Sequence, residues 1–218
     1  MDFLRFTLVG EGSSDANLLP ILKWAVREQG VEVAQGVFAP VDLLPKRDLP
    51  PKKITPLAEK IMAGLDLYEC DLLFIHRDAD RTDPLSKRAE IELAVNEVKK
   101  LQAIRVPSVP VIPIRETEAW LLIEEKAIRM AANNPNGKND LKLPTLKRIE
   151  KCADPKKELQ RVLRTATEWS PQRLKRFDTE AAMARVVDHI SDFALLRKLC
   201  AFQDLESDLK ALRARGWK

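Results

Sequence analysis

Four short apolar runs, separated by stretches of helical period, place the tightest limit on how this chain can fold. They are Phe6–Gly10, Val31–Phe38, Leu72–Ile75 and Val109–Ile114. Leu72-Leu73-Phe74-Ile75 is apolar without alternation, the pattern of a parallel strand covered on both faces. Between the runs the spacing predicts a helix from Ser13 or Ser14 toward Gly30, one over 56–67 and one over 86–103. In the last of these, Ile91, Ala94, Val95, Val98 and Leu101 share one stripe. Pro20 predicts a late start or a bend in the first. Val31–Phe38, broken by Gly36, is the least regular strand pattern, and Pro110 and Pro113 put Val109–Ile114 near a sheet edge. Pro40, Pro45, Pro50 and Pro51 make 40–53 a loop crossing an edge of the sheet. The alternation predicts an α/β fold, a doubly wound, Rossmann-like and mostly parallel sheet flanked by helices.

After about residue 131 the texture changes. Asn133-Asn134-Pro135-Asn136-Gly137 is a turn cluster, and helices are predicted over 155–168, 178–190, 191–199 and 203–214. A further helix containing Ala119–Ile123 follows the fourth strand. The expected organisation is therefore a domain over 1–130 and a basic α-helical extension over 131–218. Charge follows the same division. Residues 1–130 hold 18 Lys+Arg against 21 Asp+Glu, a net of −3, and residues 131–218 hold 19 against 12, a net of +7. An acidic part followed by a basic one suits a cation-binding half beside a surface that accepts polyanions, and also suits a plainly solvated helical surface. Cys70, Cys152 and Cys200 lie far apart, and the chain has only two histidines, so a disulfide framework and a Cys/His zinc site are excluded and a reducing cytoplasm is expected. No apolar run of about 18 residues and no secretory leader is present, so neither a membrane span nor export is expected.

In a parallel α/β sheet, ligands bind beyond the carboxyl ends of the strands. Three of the four apolar runs end in carboxylates: Glu11 in Val9-Gly10-Glu11-Gly12, Asp78 and Asp80 in His76-Arg77-Asp78-Ala79-Asp80-Arg81, and Glu116 and Glu118 in Ile114-Arg115-Glu116-Thr117-Glu118. Converging carboxylates repel unless a cation sits among them, and an oxygen-only donor set favours Mg²⁺ or Mn²⁺. Such a site clamps a phosphodiester and activates water. Taken singly, Asp15, Glu116 and Glu118 also suit helix N-termini, where acids are favoured by the dipole. Arg77, Arg81 and Arg115 either grip phosphate oxygens or neutralise the acids. His76 either lines the crevice or packs at a strand end.

Glu-Gly after the first strand and Asp-x-Asp after a later one resemble the Toprim domain of topoisomerases, bacterial primases, small RNA-maturation nucleases and overcoming-lysogenization-defect (OLD) nucleases. The resemblance spans roughly residues 4–125. It implies a Toprim fold, divalent metal and phosphodiester chemistry, with Glu11 as metal ligand or general acid/base and Asp78 and Asp80 as the metal-binding pair. Glu118, or Glu116 in its place, resembles the additional acid of OLD-type and small Toprim-like proteins from bacterial defence loci, often encoded beside an ATPase. The chain lacks a GxxxxGK[ST] loop and zinc-ribbon cysteines. Its one tyrosine, Tyr68, precedes the third strand instead of following it, so a topoisomerase, a primase and a full OLD protein are set aside.

The expectation is thus a metal-dependent nuclease acting on DNA or RNA, an antiviral effector working with a separate ATPase. Two other readings stand beside it, a nucleotide-sugar transferase using Asp-x-Asp and a non-catalytic nucleic-acid-binding or interaction subunit. Trp120, among apolar neighbours, reads as core. Lys147/Arg148/Lys151, Lys156/Lys157/Arg161/Arg164 and Arg173/Lys175/Arg176 are basic clusters suited to phosphates, with few aromatics to stack on bases.

Overall fold

A computed structural model describes residues 2–40, 54–80, 82–101 and 105–216. The loop expected over 40–53 beyond Pro40, the end of the helix expected over 86–103, and Arg81 lie outside the described residues. The chain packs as two units, each assembled from several segments. The first takes Met1–Arg77, Thr82–Ile112 and Asp204–Lys218, and the second takes Asp78–Arg81 and Pro113–Gln203.

In the first unit, β1 (Phe3–Val9), β2 (Val33–Ala39), β3 (Leu72–His76) and β4 (Ser108–Val111) form a four-stranded sheet in the order β2-β1-β3-β4. Every pairing is parallel, with Phe6 opposite both Gly36 and Leu72, and Leu73 opposite Ser108. The α/β expectation is therefore met. α1 (Leu18–Arg27), α2 (Pro56–Leu67) and α3 (Pro84–Leu101) supply the crossovers. Right-handed connections put α1 on one face and α2 and α3 on the other, and α2 accordingly packs against α3. Thr55 caps α2 by accepting the Ala58 amide, while its own amide and hydroxyl both donate to Glu97 of α3. With both faces covered, all five residues of β3 are buried.

β1 starts three residues before its apolar run. Arg5 interrupts the pattern, but its amide donates to Asp71 at 2.8 Å and its guanidinium pairs with Asp71 and Glu69. Pro20 sits in the first turn of α1, preceded by a 3₁₀ turn over Ser13–Asn17, so the helix starts late. Gly36 does not break β2. The Phe6 ring stands where its side chain would be and meets Phe74 edge-on at 5.1 Å. A bare glycine opposite a large aromatic lets the ring lie across the neighbouring strand.

The second unit contains α4 (Glu125–Ala131), α5 (Leu146–Ile149), α6 (Pro155–Thr167), α7 (Pro171–Leu174) and α8 (Thr179–His189), and α9 (Cys200–Ala214) begins in it. Asp154 and Asp178 cap α6 and α8 through the Lys157 and Ala181 amides, as Asp before Pro and before Thr-Glu leads one to expect. Two predicted helices are corrected. Ala119–Ile123 lies in a 3₁₀ turn over Thr117–Leu121 and the residues after it, and 191–199 holds only a 3₁₀ turn over Ala194–Lys198. Five consecutive apolar residues leave no polar face for a surface helix, and Trp120 is fully buried against Phe202 at 5.5 Å. Among the described residues no helix is long and apolar enough to cross a membrane. All three cysteines are free.

Gly36→Ala tests the core of the sheet. A methyl group there would lie 2.2 Å from Phe6 Cζ, so the variant is expected to lose about 1–3 kcal/mol. The loss is read as a lower urea midpoint with unchanged m-value.

Candidate functional site

The strand order makes the junction of β1 and β3 the topological switch point. The chain leaves β1 for β2 on one side and returns to β3 on the other, and the carboxyl ends of the strands at such a point are where parallel sheets of this kind bind ligands. In the first unit this junction carries Glu11, Asp15, His76 and Arg77.

Asp15 organises the loop after β1. Although 6% exposed, its Oδ2 accepts the Glu11 amide at 2.6 Å and the Gly12 amide at 3.2 Å. Gly10 is required beside it, because a Cβ there would stand 2.5 Å from the same oxygen. His76, the last residue of β3, is fully buried, with Nδ1 3.1 Å from the Val111 carbonyl and Nε2 3.7 Å from Asp15 Oδ2. Burial holds its imidazole below the ordinary histidine range, against the upward pull of Asp15, the Val111 carbonyl and Glu11 and together with the downward push of Arg77.

Glu11 points its carboxylate at Arg77, with Oε1 2.7 Å from Nη1, and Arg77 Nη2 reaches Glu90 Oε1 at 2.9 Å. Lys87 approaches the other Glu90 oxygen at 3.7 Å, and Lys60 donates to the Glu11 carbonyl. Arg77 is therefore the counter-charge of two acids, the second of the two roles open to it from the sequence. Its Nε is buried without a hydrogen bond.

In the second unit, residues 78–80 pair with 113–115. The Ala79 amide donates to Pro113 and the Asp80 amide to Arg115, while Arg115 Nη1 donates back to the Asp80 carbonyl. Asp80 and Arg115 both adopt left-handed backbone, with φ of 53° and 75°. Such conformations in non-glycine residues are uncommon and cluster at functional sites. Asp78 accepts the Thr117 hydroxyl at 3.4 Å, Ala79 is buried and Asp80 is exposed. The Glu116 carboxylate accepts the Lys156 amide in the first turn of α6, so it acts as a cap, whereas Glu118 lies half-buried in the 3₁₀ turn.

The acids offer the hard oxygen donors that Mg²⁺ or Mn²⁺ prefers. Among the described residues, however, no three His, Cys, Asp or Glu side chains form a group that could hold a metal ion. The site residues that sequence reasoning missed are Glu90, Lys60 and the clasp made by Asp15. Only the clasp had a signal, Gly10-Glu11-Gly12 followed by an acid three residues later.

The buried histidine makes stability depend on pH. The unfolded chain takes up a proton near pH 6.5 that the folded chain resists, so the contribution is complete above that pH and is lost as pH falls below it. The unfolding free energy from urea titrations is expected to fall between pH 6.5 and 5.5, by up to about 1.4 kcal/mol per pH unit. His76→Gln is expected to flatten this slope, and equal slopes in the two proteins would contradict it.

Comparison of the chain with protein-family models, with curated proteins and with solved structures finds no match.

Proposed function

We propose that this chain is a phosphodiesterase that cleaves DNA or RNA with Mg²⁺ or Mn²⁺. One observation carries the reading: Glu11 follows β1 and Arg77-Asp78 follows β3, the adjacent central strands of a parallel sheet. The resemblance to Toprim domains assigns chemistry to the same residues. Asp78 and Asp80 hold the cation, Glu11 holds it or moves a proton, and Glu118 supplies a further carboxylate. Glu116, occupied as a cap, is the weaker donor of the two. A bound divalent ion supplies positive charge to the phosphoryl oxygens and acidifies water. Arg77, Arg81 and Arg115 offer guanidinium groups to phosphate oxygens. A separately encoded ATPase is the proposed partner, in a bacterial defence role.

Plasmid, single-stranded DNA and transfer RNA are the test substrates, each with Mg²⁺ or Mn²⁺ and with EDTA as control. Asp78→Ala and Glu11→Ala are each expected to lower cleavage by roughly 100-fold or more. Undiminished cleavage by both variants would remove the assignment, and nucleic-acid binding with no turnover, even with the ATPase added, would favour the non-catalytic subunit.

Asp80→Gly provides a readout apart from activity. It removes a carboxylate while giving the left-handed position a residue that adopts it without strain. Its melting temperature in EDTA is expected to equal or exceed that of the parent, whereas the rise caused by millimolar Mn²⁺ should shrink. An undiminished Mn²⁺ shift would exclude Asp80 as a ligand.

A further inference from the structure

We infer that the second unit carries a binding groove for single-stranded nucleic acid, built on α6 and the turn that follows it. α6 buries Leu159, Val162, Leu163 and Ala166. Its opposite side presents Lys157, Arg161 and Arg164, spaced by four and three residues and hence along one stripe. The helix ends at Glu168, whose left-handed backbone (φ 55°) turns the chain so that Trp169 lines the same cavity of about 620 Å³ as the three cations. Gln160 and Asn139 add amide groups to that wall. The Arg173 guanidinium lies 3.9 Å from the Trp169 ring centroid, and Phe177 meets the ring edge-on at 5.7 Å.

The balance of charge favours an anion. Lys157 and Arg161 are offset within the helix by Asp154 and Glu158, each at 2.7 Å. Arg164 and Arg173 have no carboxylate partner among the described residues. Glu168 also lines the groove, but its Oε1 accepts the Lys138 and Asn139 amides and faces Arg129 at 3.9 Å. These amides, that of Asn139 foremost, hold its carboxyl below the usual range.

Cations alone would suit any polyanion. The indole among them selects a strand with unstacked bases, because a duplex offers its phosphates but hides its base faces. The Asn139 amide group beside the ring can meet base edges, while that of Gln160 donates to Glu180 at 2.8 Å. The basic clusters read from the sequence as having few aromatics to stack on bases, but Trp169 lies between two of them, and the turn at Glu168 brings its ring to the cations of α6. This groove is distinct from the acids assigned to phosphodiester chemistry, and the measurement below is made in EDTA, so the two proposals can fail separately.

The test is fluorescence anisotropy of labelled oligo(dT) and oligo(rU), a duplex of equal length and a poly-glutamate peptide, using the full chain. Single strands are expected to bind more tightly than the duplex or the peptide. Trp169→Ala should weaken single-strand binding by about 5- to 150-fold, the range of one base–aromatic stack, and Trp169→Phe should restore most of it. Arg164→Gln should lower the slope of log K against log salt by about 0.7. Circular dichroism separates these effects from misfolding, and the phenylalanine variant preserves the packing against Phe177. Equal affinity for duplex or peptide, single-strand affinity unchanged in Trp169→Ala, or a salt slope unchanged in Arg164→Gln, would overturn the proposal.

Discussion

The buried carboxylate of Asp15 is the constraint on which the carboxyl end of the parallel sheet depends. A carboxylate that is 6% exposed must be met by donors. The nearest are the amides of Glu11 and Gly12, at 2.6 and 3.2 Å. Their convergence sets the loop after β1, excludes a side chain at Gly10 and aims Glu11 toward Arg77. The same oxygen faces the buried edge of His76. One acid therefore fixes a loop, a required glycine and the environment of a histidine.

Around this fixed point the charges are arranged in alternation. Arg77 lies between Glu11 and Glu90, and Lys87 stands beyond Glu90. The four side chains are partly exposed, between 16% and 38%, so their pairing adds little stability, of order 0–1 kcal/mol per pair. Its larger consequence is positional. The guanidinium balances acids that would otherwise repel, and a cation or phosphate arriving at Glu11 must compete with or recruit Arg77. The proposed chemistry thus begins with an exchange of ionic partners.

The α/β alternation was legible because it rests on periodicity. β3 reads as a doubly covered strand, α2 carries its proline at the first turn, and the caps of α6 and α8 stand in the sequence as aspartates. The start of β1 was not legible, since Arg5 breaks the apolar run and is accommodated only by Asp71, 66 residues away. The apolar block Ala119–Ile123 misled for a related reason, as a segment buried on all sides has no period to show. At the candidate site, the placement of Glu11, Asp78 and Asp80 after strands could be read. The Arg77–Glu90 pair and the capping of α6 by Glu116 depend on tertiary contacts that no local pattern encodes.

The backbone at Asp80 and Arg115 shows the opposite balance from Asp15. Two non-glycine residues in left-handed conformation cost on the order of 1–3 kcal/mol each. Asp80 is exposed, so packing of its side chain cannot offset that cost. What holds the pair is reciprocal: the Asp80 amide donates to the Arg115 carbonyl, and the Arg115 guanidinium donates to the Asp80 carbonyl. Glycine at position 80 would satisfy the same amide bond without strain. The side chain at Asp80 therefore costs the fold more than a glycine would. The ligand-holding role proposed for Asp80 gives that side chain a use, whereas the carboxylate of Glu116 is already engaged as the cap of α6.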